Sequence, residues 1–298
     1  MQLRGFLNSV TAPAFLASAA GVRTAYRVAL FIVLYAIQVS AIVLALGAIL
    51  ARVNFPHLAH ITPLLAAINE ATLLLPTLTS TAALAFLENR PFTAYGLRGD
   101  VARLTQAGFV AGLLALTLLI AALFAAHLAV AAPVALPAAT KFRYGAEWFA
   151  VSAAIGVTEE ILFRGYLLTA LTRGFGGKFW PPTLITGAVF AAGHGINAGE
   201  GFVGLMNVLL VSLLFCAIIR RTGSLFAAIG FHAAWDFGEN FLFGTPDSGT
   251  VCYGTLMTIG PIAGAPAWLS GGATGPEGSV VCTGLVLILL ASTAWRRA

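Results

Sequence analysis

Apolar residues along this chain gather into eight long blocks, roughly 28–50, 62–87, 104–132, 146–173, 181–198, 202–219, 224–243 and 279–295. A helix needs about 20 mainly apolar residues to cross a bilayer, so each block predicts one transmembrane helix. Backbone groups in lipid must be satisfied within the segment, which excludes open sheets. The expected fold class is all-α, a polytopic membrane protein of about eight transmembrane helices. The loops supply a check on that count. With both termini cytoplasmic, the inner segments hold Arg4, Arg23, Arg27, Arg90, Arg98, Arg103, Arg173, Lys178, Arg220, Arg221, Arg296 and Arg297, and the outer ones Arg52, Lys141 and Arg143. Such a bias is the positive-inside pattern, and one helix more or fewer would scramble it.

Composition agrees. The chain is 59% hydrophobic and 9% charged, with mean hydropathy +0.92 over 298 residues, more apolar surface than a soluble domain could bury. The net charge of +5 reports topology and contact with anionic membrane lipids; no basic run points to nucleic acid. A multi-pass protein of the cell (plasma or inner) membrane is expected, with residues 1–27 as a cytoplasmic or interfacial arm and 28–298 as a single integral-membrane domain. Asn8, Ser9, Thr11 and Pro13 interrupt the weak apolar start, which favours an interfacial arm over a cleaved signal peptide. The stretch 244–278, rich in Gly, Pro, Ser and Thr, reads as an outer loop. Cys252 and Cys282 fall on the outer side, where a disulfide between them competes with two free thiols; Cys216 lies in the sixth block.

Against this apolar background the ionisable residues inside blocks stand out, because each charge at the centre of a spanning helix costs about 2.5–3.5 kcal/mol on insertion scales. Glu70 and His127 are isolated and read as cavity-facing or interfacial. The fourth block carries Glu159, Glu160 and Arg164. Residues four apart share a helix face, so Glu160 pairs with Arg164, while Glu159, about 100° away, is left to face something else. The fifth block places Phe190 and His194 four apart, and the seventh does the same for His232 and Asp236. Asn207 in the sixth block suits a helix–helix hydrogen bond or the cavity.

Two imidazoles with carboxylates suit two chemistries. In one, Glu159 and His194 deprotonate a water that attacks a peptide carbonyl, and His232 with Asp236 stabilises the oxyanion. In the other, a divalent metal such as zinc, held among Glu159, His194, His232 and Asp236, lowers the pKa of its water. The spacing leaves both open. No H-E-x-x-H, no G-x-S-G before a helical histidine and no G-x-G-D occurs, which sets aside three familiar kinds of intramembrane protease.

At these residues the chain resembles the CPBP family, the CAAX proteases and bacteriocin-processing proteins. That family carries E-E-x-x-x-R, F-x-x-x-H and H-x-x-x-N or H-x-x-x-D on successive membrane helices, matched here by Glu159 to Arg164, Phe190 to His194 and His232 to Asp236. Arg221 to Leu225, R-T-G-S-L, is also typical, and the likeness covers roughly 150–240 within a core at about 146–243. The resemblance implies an eight-span intramembrane endopeptidase acting on membrane-associated or lipid-modified (CAAX-type) peptide or protein substrates. Glu159 and His194 would activate water, and His232 and Asp236 would occupy the oxyanion positions. Members are often described as metalloproteases. Two other classes compete: a non-catalytic immunity or scaffold protein of the same fold, and a proton-coupled transporter, although no pair of broken helices supports the latter.

Overall fold

The structure is a computed structural model that describes residues 19–50, 60–197 and 199–295. Most of the expected N-terminal arm (its residues 1–18), together with Arg4, Arg52, Arg296 and Arg297, lies outside the described residues. The described chain is mostly helical. Its long elements are α1 (Ala19–Leu50), α2 (Pro63–Leu87) and α3 (Val101–Ala125), followed by a short strand β1 (Ala129–Pro133). Next comes α4, an α-helix over Ala138–Glu159 that runs through a π-helical Glu160–Leu167 into Leu168–Gly174. Then follow α5 (Trp180–His194), α6 (Phe202–Thr222) and α7, α-helical over Phe226–Phe237 and π-helical over Gly238–Phe243. Strand β2 (Met257–Pro261) and α8 (Val280–Trp295) complete the set.

The connections sort to two ends. At one, Leu225 donates its backbone N–H to Gly96 and Thr24 packs against Gly174. At the other, Ile61 bonds to Val251 and Tyr253, Ile262 donates to Leu128, and the Asn207 side chain reaches Glu277. Of the described Lys and Arg residues in connections and helix ends, the first end has Arg23, Arg27, Arg90, Arg98, Arg103, Arg173, Lys178, Arg220 and Arg221, and the second has Lys141 and Arg143. We call these the basic end and the loop end. Glu88 closes the basic end: its carboxylate, almost fully buried, accepts hydrogen bonds from Tyr95, Tyr166 and Arg173, tying α2, its following turn and α4 together.

Helix α7 is the hub. Gly108 and Gly112 of α3 face the backbone of Ala227 and Phe231, and Gly230 of α7 faces Thr105 and Phe109. A Cβ at Gly112 would lie 2.9 Å from Phe231 Cα, and one at Gly230 2.9 Å from Phe109 N. On the α4 side, a Cβ at Gly156 would lie 3.1 Å from Ala233 N. Small residues let backbones approach in this way, and in lipid such packing is a main source of helix association. Beside this contact Leu116, Leu119, Phe215, Phe231 and Trp235 form the largest apolar core, joined by Cys282 of α8.

Two features differ from the expected pattern. The third apolar block was expected to stay helical to residue 132, but α3 ends at Ala125; His127 takes φ 56°, and residues 129–133 become β1. That strand pairs antiparallel with β2, from Ala129 opposite Pro261 to Pro133 opposite Met257. An apolar strand that follows an apolar helix gives one unbroken hydrophobic run, and the partner lies far along the chain. The pairing also pins the 244–278 loop down, so this loop folds back on the helices. Secondly, among the described residues four helices are by themselves long and apolar enough to cross a membrane: Arg23–Ile49, Pro63–Leu87, Val101–Ala125 and Phe202–Thr222; Val280–Thr293 is apolar but shorter. Helix α4 carries the charged motif, and α5 and α7 are short and rich in small residues. Cys216, Cys252 and Cys282 are all buried free thiols, which decides against the disulfide.

Overpacking a tight core costs about 1–3 kcal/mol. Gly112→Leu and Gly230→Leu are therefore expected to lower the unfolding temperature of the detergent-solubilised protein, whereas Gly47→Leu, at a site with nothing within 4 Å, leaves it unchanged. A melting series on the three variants checks this.

Candidate functional site

Helix α4 widens from α to π geometry at the E-E-x-x-x-R motif, its π segment beginning at Glu160. Short π segments commonly mark functional sites. Here both glutamates reach one imidazole on α7. Glu160 Oε1 lies 3.1 Å from His232 Nδ1, and Glu159 Oε2 lies 3.5 Å from His232 Nε2. Asp236 Oδ1 is 3.8 Å from the same Nε2. His232 therefore sits among three carboxylates. Because an ionised carboxylate only accepts, the short contact to Glu160 places a proton on Nδ1.

Glu160 has a second partner, Arg164 Nη1 at 2.8 Å, and both side chains are fully buried. They lie behind the cavity wall and not on it. The rest of the guanidinium has aromatic neighbours: its Cζ stands 4.2 Å from the centre of the Phe190 ring and 5.5 Å from that of Phe215. Such contacts favour a desolvated cation by about 2 kcal/mol or more, which matters because Arg164 Nε and Nη2 have no hydrogen-bond partner. Phe190 also holds His194, with ring centres 4.6 Å apart. His194 Nδ1 lies 2.9 Å from the Phe190 carbonyl. A carbonyl can only accept, so Nδ1 carries the proton and Nε2 keeps its lone pair. The F-x-x-x-H spacing thus has a physical meaning: one phenylalanine supports the buried arginine and fixes the histidine tautomer.

Glu159, His194, His232 and Asp236 all line one cavity of about 270 Å³. It runs from their level to the loop end, where Ile61, Asn197, Ser248 and Thr250 form its wall. Further polar residues join them. Glu70 of α2 lines the cavity and accepts a hydrogen bond from Thr158, the neighbour of Glu159. Asp247 and Glu277 come from the two ends of the 244–278 loop, and Asn240 from α7. Burial first, and the Asp247 charge second, push the Glu277 carboxyl up to about 8; burial also raises that of Asp247. Asn207 serves both expected roles, since it faces the cavity and its Oδ1 accepts the Thr283 hydroxyl of α8 at 2.7 Å; its amide also donates to the carbonyls of Glu277 and Ser279 at 2.7 and 2.9 Å. Glu70, a lone acid in an apolar block, was expected to face the cavity or the interface, and it lines the cavity. Asp247 and Glu277 gave no such signal, because an acid in a Gly/Pro-rich stretch looks solvated. His127 is exposed, far from any of this along the chain and outside the cavity wall.

Although the four residues expected to hold a metal share this wall, no three of their ligand atoms lie within 4.8 Å of one another among the described residues. As arranged, these two carboxylates and two imidazoles are not a ready three-ligand cage.

Fold and site together define a helical membrane protein with a buried glutamate–histidine centre. Residues 141–238, about a third of the chain, match the family described as Type II CAAX prenyl endopeptidase Rce1-like. This segment contains all three motifs and supports membership of the CPBP/CAAX protease family, a family of membrane proteases. No curated protein matches the chain.

Breaking a buried ion pair from one side costs about 3–5 kcal/mol, while replacing both partners by neutral groups of similar volume is often tolerated. Arg164→Met is expected to destabilise the protein severely, and the double change Glu160→Gln with Arg164→Met to recover much of the loss. Thermal unfolding of single and double variants in detergent measures the difference.

Proposed function

We propose that this protein is an intramembrane endopeptidase that hydrolyses a peptide bond in a membrane-associated or lipid-modified (CAAX-type) substrate by means of a water activated by Glu159 and His194. The observation that carries this reading is the His194 tautomer: Nδ1 is committed to Phe190, so its basic Nε2 is available in a cavity that it shares with Glu159. A water between them gives up a proton as its oxygen attacks the scissile carbonyl carbon. The carbonyl electron pair moves onto oxygen, and the resulting oxyanion needs donors. His232, with Nδ1–H bound to Glu160 and Nε2 near Glu159 and Asp236, is placed to donate from Nε2 as an imidazolium. Asp236 then orients that cation, and its own charge is offset. Collapse of the intermediate expels the amine, which takes the proton first removed from water. No step is routed through a metal. A positioned general base contributes about 10²–10⁴-fold, and oxyanion stabilisation in a water-poor site a comparable or larger factor.

The same reading takes all eight long helices as membrane-crossing rods with both termini in the cytoplasm. What supports it is the sorting of basic residues: nine described Lys and Arg at one end and two at the other. The cavity then opens on the outer side of the cell membrane, and substrate reaches Glu159 past the 244–278 loop.

In membranes from cells expressing the wild type, new protein N-termini are expected that disappear with Glu159→Ala and fall at least 100-fold with His194→Ala, consistent with loss of a general base. A zinc-directed chelator leaves them in place. Unchanged termini in Glu159→Ala overturn the reading, and loss with chelator alone transfers the chemistry to a metal.

A further inference from the structure

Beyond the glutamate–histidine centre, a second group of acids occupies the loop end. Glu239 on α7, Asp247 just after it and Glu277 at the far end of the loop each offer a carboxylate oxygen, all within 4.8 Å of one another. Among the described residues none of the three pairs with a Lys, Arg or His side chain within 4 Å (Arg143–Glu147 and Arg90–Glu88, for comparison, do). Glu239 is decisive. Its side chain is fully buried and neither carboxylate oxygen has a hydrogen-bond partner; the Trp235 indole lies near it without hydrogen-bond geometry. Leaving a buried acid so uncompensated is costly unless something positive completes the site.

We infer that Glu239, Asp247 and Glu277 form a binding site for a calcium-sized divalent cation, one that clamps both ends of the 244–278 loop to α7. The ligand set is all oxygen, which selects a hard cation over zinc. Calcium takes oxygen ligands at about 2.3–2.6 Å, so oxygens on opposite sides of the ion lie up to roughly 5.2 Å apart. The three oxygens lie within that span, and magnesium, which demands near-ideal octahedral geometry and tends to keep several of its waters, suits an all-carboxylate cluster less well. Glu277 is prepared for the task, because Oε1 already receives the Ser248 N–H at 2.7 Å and the Ser248 hydroxyl at 2.5 Å. These bonds hold the loop's two ends side by side. The loop between them supplies Thr250 and Cys252 to the cavity wall, so the ion fixes the outer part of the cavity without touching Glu159 or His194.

The test uses the full chain in detergent, stripped with EGTA and titrated with calcium alone, reading equilibrium binding of radiolabelled calcium and the unfolding temperature. One ion per chain is expected, with Kd of roughly 10⁻⁵ to 10⁻³ M, weaker binding of magnesium, and a rise in unfolding temperature with calcium. Glu239→Gln and Asp247→Asn each weaken binding at least tenfold and abolish the rise, while Glu159→Gln retains both. In EGTA, Glu239→Gln unfolds at a higher temperature than the wild type, because the lone buried charge is gone. If Glu239→Gln does not fold, Asp247→Asn carries the comparison. A folded wild type with no saturable calcium binding overturns the proposal, as does binding that is lost in Glu159→Gln but kept in Glu239→Gln or Asp247→Asn. None of these readouts depends on proteolysis, so the failure of one reading leaves the other standing.

Discussion

The buried pair between Glu160 and Arg164 is the interaction on which the rest of the site depends. Both groups are fully enclosed, and such a pair is costly to desolvate unless every remaining face of each charge has a partner. The partners are the other motifs. Arg164 rests against Phe190 of α5 and Phe215 of α6, and Glu160 accepts from His232 of α7. One ion pair therefore draws four helices to a common point. Phe190 places His194, and His232 brings Asp236 with it. The motif residues need each other electrostatically, and the geometry of the centre follows from the need to compensate a buried cation.

Helix α7 shows how the site can be both polar and closely packed. His232, Asp236 and Glu239 recur at steps of four and three, one face of a helix. Gly230, Ala227, Ala228, Ala233 and Ala234 fill much of the remaining surface and are buried. Those small residues let α3 and α4 close in to backbone distance, which keeps lipid away from the polar face. The widening to π geometry after Phe237 comes where that face leaves the glutamate–histidine centre for the loop end.

Much of this was legible in the sequence, and what was legible was local. The pairing of Glu160 with Arg164 follows from a four-residue spacing, and the eight long helices follow from the apolar blocks to within a few residues at most ends. What stayed hidden depends on contacts between distant parts of the chain. The helical spacing separated Glu159 from Glu160 by a quarter-turn and more, yet both meet the same imidazole on α7, because His232 presents one ring nitrogen to each. Residues 129–133 were read as helix because a hydrophobic run does not reveal a strand partner more than a hundred residues away. Asp247 and Glu277 drew no reading of their own, being part of a stretch read as an outer loop, because nothing in a Gly/Pro-rich stretch announces that it folds back onto a cavity.

That fold-back divides the cavity into two electrostatic regions. At the level of His232 the acids have compensation: Arg164 for Glu160, and an imidazole with two ring nitrogens for Glu159, Glu160 and Asp236 together. Toward the loop end compensation stops, and Glu239, Asp247 and Glu277 face one another. Carboxylates that repel across a buried space would push the loop outward and widen the opening of the cavity. The two hydrogen bonds from Ser248 and the β1–β2 pairing resist this, but hydrogen bonds to one carboxylate oxygen do not cancel three like charges. Protons or a bound cation must do so. The loop-end wall of the cavity is thus the part whose shape follows protons and cations in the medium, while at the glutamate–histidine centre Arg164 and His232 supply compensation from within.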